Sequence, residues 1–318
     1  MGAPTTGRVW DYCLATALSS EPLDRGRSSG IKSWHYRTFE VEGPKRPDVT
    51  LEHLVVLLPG ESSGLASRPP RPAHFLETRF WRMKSAVIIG ASSGIGRALA
   101  HILSLDGYGI GVVARRTDLL TRLRAELAGP CVIRTADVSQ PELAMPVVRE
   151  LMEELGDVEL FIISAGTGAE NAALEWQVER DTIAVNVLGF AAMVNVAVEY
   201  LETRGSGHLV GISSLAALRG NGRAPAYAAS KAFVSNYLQG VRYRLQKQGL
   251  PIFVTDVQPG FVNTRMAGGD FWMASPQTAA RQIVAAIRGR KQHLYVTRRW
   301  RLVAWLVRVI PDTLFSRI

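Results

Sequence analysis

The chain has 318 residues, an apolar fraction of 47% and a net charge of +9 at pH 7, which excludes a wholly disordered protein and allows a large buried core. Residues 288–318 hold 8 basic side chains and 1 acidic one, whereas residues 83–287 hold 18 of each. The basicity is therefore a property of the C-terminal end, and a central nucleic-acid-binding domain with a basic face is excluded.

Cys13 and Cys131 lie far apart with no partner spacing, so neither a disulfide framework nor a cysteine-based metal site is expected, and a reducing compartment fits. No run reaches the roughly 20 apolar residues of a membrane span, and the first residues lack the apolar stretch of a secretory signal. The expected location is the cytoplasm.

Residues 1–82 carry 8 of the 16 prolines. They include Arg68-Pro69-Pro70-Arg71-Pro72 and one apolar stretch, 54–58, ended by Pro59-Gly60. This segment is expected to be unfolded or weakly structured. Met83 opens directly into a strand-like run and reads as the natural start, with the first 82 residues upstream of it.

From Met83 onward, short β-branched runs alternate with longer segments of helical period. Strands are expected at 85–89, 109–114, 131–135, 158–163, 207–212, 251–257 and 293–296, with helices near 94–105, 117–128, 140–155, 173–202, 226–248 and 277–288. The pattern predicts an α/β, doubly wound Rossmann fold: a seven-stranded, mostly parallel sheet with helices on both faces. The expected organisation is an extension (1–82), a catalytic domain (83–287) and a basic, apolar C-terminal segment (288–318) of helical character.

The first of these strands runs into Gly90, Ala91, Ser92, Ser93, Gly94, Ile95 and Gly96, and a helix follows. A strand, a glycine-rich turn and a helix N-terminus aim backbone N–H groups and a positive helix end at one point, which suits a pyrophosphate. The second strand ends in Arg115-Arg116, where a carboxylate would select a free ribose 2′-hydroxyl. Arg115 can instead pair with a 2′-phosphate, with Ser92 or Ser93 adding a hydroxyl, so NADP(H) is expected over NAD(H). Asp137, after the third strand, is placed for the adenine edge. Further along, Tyr227 and Lys231 are four residues apart and share one helix face, so a lysine cation can favour the phenolate of a proton-transferring tyrosine.

Taken together, these residues resemble the short-chain dehydrogenase/reductase family in its compact single-domain branch. The matching elements are Gly90, Gly94 and Gly96, Ala165-Gly166, Asn186, Ser214, Tyr227, Lys231, and Pro259-Gly260 followed by Thr264. The resemblance implies Tyr227 as acid/base, Lys231 holding the nicotinamide ribose and lowering the tyrosine pKa, Ser214 orienting the substrate oxygen and Asn186 supporting a relay water. Ser213 is one residue off the family spacing. Two departures, Ile89 before the first glycine and Ile163-Ser164 before Ala165-Gly166, are expected to change local hydrogen bonding and leave the site intact. A sugar-nucleotide epimerase of the extended branch and a non-catalytic NADP-binding regulator are the alternative readings.

The family's mobile substrate loop corresponds to residues 261–273, with Asn221, Arg223 and Pro225 across from it. A homodimer or homotetramer pairing through the helix near 226–248 is implied by the resemblance. The partner expected is a small-molecule carbonyl or alcohol, with no nucleic acid. Residues 298–318, with Trp300, Trp305 and several arginines, suit either peripheral membrane contact, and with it an apolar or lipid-linked substrate, or packing on the domain or a partner subunit with the arginines in solvent.

Overall fold

The computed structural model describes residues 35–39, 54–58, 84–263 and 273–315. The chain divides into two units, Met1–Glu77 and Thr78–Ile318. In the first, strands β1 (His35–Phe39) and β2 (Leu54–Leu58) pair antiparallel with His35 opposite Leu58. The apolar stretch at 54–58 thus has a partner that the sequence reading passed over, because HYRTF mixes polar and aromatic residues. The rest of residues 1–82, and Met83, lie outside the described residues.

The second unit holds a seven-stranded sheet, β3 (Ser85–Ile89), β4 (Gly109–Ala114), β5 (Cys131–Thr135), β6 (Val158–Ile163), β7 (Gly207–Ile212), β8 (Ile252–Pro259) and β9 (His293–Val296), in the order β5-β4-β3-β6-β7-β8-β9. Every pairing is parallel. Strands buried on both faces carry continuous apolar runs, and β3 is buried at all five positions. The order reverses between β3 and β6, and a crevice at the carboxyl ends of strands beside such a reversal is where α/β sheets bind ligands.

The helices are α1 (Gly94–Leu105), α2 (Thr117–Glu126), α3 (Pro141–Leu155), α4 (Trp176–Ile183), α5 (Phe190–Arg204), α6 (Pro225–Lys247), α7 (Pro276–Arg288), α8 (Trp300–Val309) and α9 (Asp312–Phe315). One apolar layer joins α3, α5 and α6 to one face of the sheet through Leu151, Phe161, Val194, Leu201 and Leu238. On the other face Leu99, Leu120 and Ile283 bring in α1, α2 and α7. Residues 288–315 belong to this same unit, since β9 extends the sheet and α8 packs beside it.

Between α4 and α5 the helix loosens into a π-helical turn, Ala184–Gly189, and the three pieces form one continuous helix of 29 residues, Trp176–Arg204. By length and composition alone it is apolar enough to cross a membrane, which corrects the expectation that no segment is. Its apolar residues, among them Met193, Val196, Ala197 and Leu201, are buried in the core layer against α3 and the sheet.

On β7, His208 is buried, and its Nε2 meets Thr255 Oγ1 of β8 at 2.7 Å. The threonine hydroxyl donates to the Lys291 carbonyl, so Nε2 carries the proton. Burial, helped by the nearby Arg290 cation, pushes the imidazole pKa down to about 4. Between pH 6.5 and 4 the unfolded chain takes up a proton that the native His208 refuses, so stability falls as pH falls through this window. A depression of this size corresponds to about 3 kcal/mol. Urea unfolding of the wild type is expected to lose that much stability between pH 6.5 and 4 beyond the loss shown by His208→Gln; parallel pH profiles for the two proteins would contradict the assignment.

Candidate active site

The turn after β3 is built for close approach. Gly90 has φ +92°, and a Cβ there would lie 2.4 Å from the backbone N of Ala165, so only glycine lets the turn pass under the loop that follows β6. Gly94, Ile95 and Gly96 open α1, and their N–H groups stand at its unpaired N-terminus. Ile95 turns its side chain onto the core. Ser92 and Ser93 do not cap the helix. Their hydroxyls accept from Arg116 Nη2 at 2.7 and 3.0 Å.

That contact reassigns the two arginines after β4. Arg116, rather than Arg115, is the one that reaches the turn. Arg115 points along the edge to Asp137, with Nη1 3.7 Å from Oδ2. The other oxygen of Asp137 accepts from the backbone and hydroxyl of Ser139 at 3.0 and 2.8 Å. A guanidinium held by two serine hydroxyls and a second one a few ångströms from Asp137 make one end of the crevice cationic.

At the other end stand the residues of β6, β7 and α6. Asn186 lies in the π-helical turn, buried, and its amide closes on Thr167: Oδ1 accepts from Thr167 N at 2.8 Å and Nδ2 donates to Thr167 O at 2.7 Å. Nδ2 also donates to Ser230 Oγ at 2.9 Å, and that hydroxyl donates to the Tyr227 carbonyl at 2.8 Å. Asn186 therefore ties the loop after β6 to the first turn of α6. A π-helical turn of this kind marks many functional sites.

Lys231, one turn after Tyr227, is buried, and its Nζ donates to Ile212 O at 3.0 Å. Burial pushes its pKa down to about 8, opposed by the Asp256 carboxylate. An ammonium has three donors, and Nζ faces Gly166, where a Cβ would be 3.2 Å away. Tyr227 has its ring centroid 5.8 Å from Nζ. Burial raises the phenol pKa and a hydrogen bond from Ser214 lowers it, the balance being upward. Desolvation of the phenolate sets the direction of this shift.

Ser214 N-caps a 3-10 turn, Leu215–Leu218, accepting from Ala216 N at 3.1 Å. Ser213, one residue earlier, is buried and donates to Asp256 Oδ1 at 2.6 Å and to Val257 O at 3.1 Å. It serves the strand interior and holds the carboxylate that faces Lys231. Pro259 ends β8, and the ring of Trp300 on α8 lies against Gly260, where a Cβ would be 2.3 Å from it. Across the crevice Arg223 turns to Glu170 at 2.7 Å, both exposed. Thr264 and the rest of the substrate-loop expectation, residues 264–272, lie outside the described residues.

Two participants escaped the sequence reading. Asp256 sits mid-strand in β8, and a buried acid inside an apolar strand is the signal that was there to find. Gly168 passes under Tyr227, with a Cβ there 2.4 Å from Cδ2 of the ring, and nothing in the sequence distinguishes it from neighbouring glycines. Cys131 is a free thiol whose burial pushes its pKa up to about 11, which removes it as a nucleophile.

A glycine cradle at a helix N-terminus, arginine-held hydroxyls and a buried ammonium facing into the crevice fit a dinucleotide. A phenol hydrogen-bonded to a serine stands at the far end. The match to the short chain dehydrogenase model spans residues 84–272, and the chain belongs to that family, as an oxidoreductase that takes a nicotinamide cofactor. Among its relatives, an uncharacterized oxidoreductase of Myxococcus xanthus is 33% identical over 73% of this chain and 95% of that protein. One of Mycobacterium tuberculosis is 34% identical over 63% and 83%. Among solved structures, an actinorhodin polyketide ketoreductase with NADPH is 25% identical at a TM-score of 0.62, covering 67% of this chain and 95% of that one. A 3-ketoacyl-ACP reductase from Sinorhizobium meliloti is 27% identical at 0.60, over 67% and 96%.

A methyl group at residue 168 has to displace the Tyr227 ring. Gly168→Ala is expected to lower kcat by one to two orders of magnitude, a loss typical of misplaced reacting groups, with cofactor binding little changed. Gly222→Ala, where nothing lies within 4 Å of the added Cβ, serves as the control. Steady-state kinetics with parallel cofactor titrations checks this; equal kcat for the two variants would contradict it.

Proposed function

We propose that the protein reduces a ketone or aldehyde to an alcohol with NADPH, reversibly, with Tyr227 as the acid/base. The observation that carries this reading is the pairing of the Tyr227 phenol with Ser214 beside the buried Lys231. The cofactor, when bound, supplies the hydride. Ser214 orients the carbonyl oxygen, and Tyr227 gives that oxygen its proton. A phenol whose pKa is raised by burial stays protonated at neutral pH, as reduction requires. The phenolate left behind lies near the Lys231 ammonium, which offsets its charge.

Lys231 has donors to spare for the nicotinamide ribose hydroxyls, close to Gly166. The side-chain groups of Asn186 are engaged by Thr167 and Ser230, so its part is to position the loop after β6 against α6. The relay water implied by the family resemblance then falls to the main chain of the π-helical turn. Preference for NADP(H) rests on Arg116 and Arg115, two guanidiniums where a carboxylate would favour NAD(H). Ala165, Pro259 and Gly260 line the nicotinamide end in this reading, with Thr264 following them.

The apolar side chains Ile183, Leu188 and Tyr243, exposed on α4, the π-helical turn and α6, support a homodimer or homotetramer. A cytoplasmic location, where a free thiol such as Cys131 persists, goes with this chemistry. NADPH and NADH oxidation over a panel of acyl, sterol and sugar ketones tests the reading. Tyr227→Phe is expected to abolish turnover while NADPH still binds, and Arg116→Ala to weaken NADPH more than NADH. Turnover surviving in Tyr227→Phe would refute the acid/base assignment.

A further inference from the structure

We propose that α8 docks the protein on the surface of an anionic lipid bilayer. Its inward side is anchored: Trp300 is 5% exposed and Ala304 1%, with the Trp300 ring against Gly260 and edge-on to Phe261 at 5.6 Å. At its far end Arg219, just past the 3-10 turn that follows Ser214, donates to the Ile310 carbonyl and reaches that of Arg308 at 3.5 Å. Held at both ends, the helix presents one face outward.

That face carries Leu302, Trp305, Leu306 and Val309, spaced i, i+3, i+4 and i+7 as one stripe. Leu302 is 75% exposed and Trp305 65%, and exposed Leu314 continues the surface beyond Pro311. Exposed Arg298, Arg301 and Arg308 border the stripe, and none of the described ion pairs takes them up. No acidic residue lies on α8. An outward-facing helix with an apolar stripe, a tryptophan and a cationic border fits an interface of acyl chains under anionic headgroups.

A second copy of this chain fits the same face poorly. A two-fold contact lays a patch on itself, which sets Arg301 and Arg308 against their own kind with no carboxylate on α8 to answer them. The helix follows β9 at the carboxyl edge of the sheet, the edge that also carries Ser214 and Gly260. Docking therefore brings the catalytic edge to the bilayer. This rests on the carbonyl reduction proposed above and names its substrate class: a ketone or aldehyde borne on an amphiphile.

The test is flotation of the full chain with vesicles of phosphatidylglycerol and phosphatidylcholine, against phosphatidylcholine alone. Two outward pairs of substitutions are compared, Leu302→Glu with Trp305→Glu, and Arg301→Glu with Arg308→Glu. Reduction of a water-soluble ketone, measured alongside, reports folding. The wild type is expected to bind anionic vesicles at least about tenfold better than neutral ones, and less so at high salt. Each pair is expected to abolish binding, keep soluble turnover and slow reduction of a long-chain ketone presented in anionic vesicles. Wild type that ignores anionic vesicles, or pairs that bind as well as wild type, would overturn the proposal. So would pairs that only convert an oligomer to a monomer in sedimentation, which assigns the face to a second copy. Absent flotation with intact soluble turnover refutes the docking alone, whereas flotation without reduction of any ketone refutes the catalytic reading instead.

Discussion

A buried ammonium is the constraint around which the catalytic edge is arranged. Lys231 is 5% exposed, and desolvation alone would drive it toward the neutral amine. Two features work against that. The Ile212 carbonyl, at the end of β7, accepts one of its hydrogens at 3.0 Å, and the Asp256 carboxylate in β8 favours the charged form. Asp256 is in turn held by Ser213 and Gln258, so the charge on Lys231 depends on an interior network of two adjacent strands. A cation held this way stands beside Gly166, where an added Cβ would come within 3.2 Å of Nζ.

The same economy of space recurs along the crevice. Gly90 lets the turn after β3 pass beneath Ala165, and Gly168 lets the loop after β6 pass beneath Tyr227. Asn186 locks that loop through the main-chain N–H and carbonyl of Thr167 and reaches α6 through Ser230. The parallel sheet is what makes these contacts available, since it gathers the ends of β3, β6, β7 and β8 at one edge. α8 adds to it from the C-terminal side, Trp300 against Gly260 and Arg219 at its last carbonyls.

Much of this was legible in the sequence. The bounds of β3, β4, β5, β6, β7 and β9 match the runs read from the sequence; β3, β4, β6 and β7 are largely buried and apolar, and end sharply at glycine, arginine or serine. β8 runs on to Pro259, past the apolar run that stops at 257, since Gln258 is buried and pairs with Ser235 and Asp256. Tyr227 and Lys231 stand out by type and spacing, whereas Asn186 and Ser214 are marked only by the family resemblance. Which of two adjacent arginines meets the serines could not, because alternation along an extended segment sends neighbours to opposite sides. The role of Asp256 was also hidden, since its partners Ser213 and Lys231 come from other elements. The pairing of 35–39 with 54–58 is long-range, and no local pattern announces it.

We propose that Lys231, whose buried ammonium donates to the Ile212 carbonyl, also donates to the hydroxyls of a nicotinamide ribose. Those acceptors favour the charged form, so they raise a pKa that stands at about 8 without them. Below pH 8 the amine is protonated in both states and affinity is level. Above it, binding requires proton uptake, so affinity falls as pH rises. Fluorescence titration of NADPH from pH 6 to pH 10 measures this directly: the wild type should hold a constant Kd to about pH 8 and weaken beyond it, while Lys231→Met binds more weakly with no such slope. A slope shared by both proteins, or absent from both, would contradict the account.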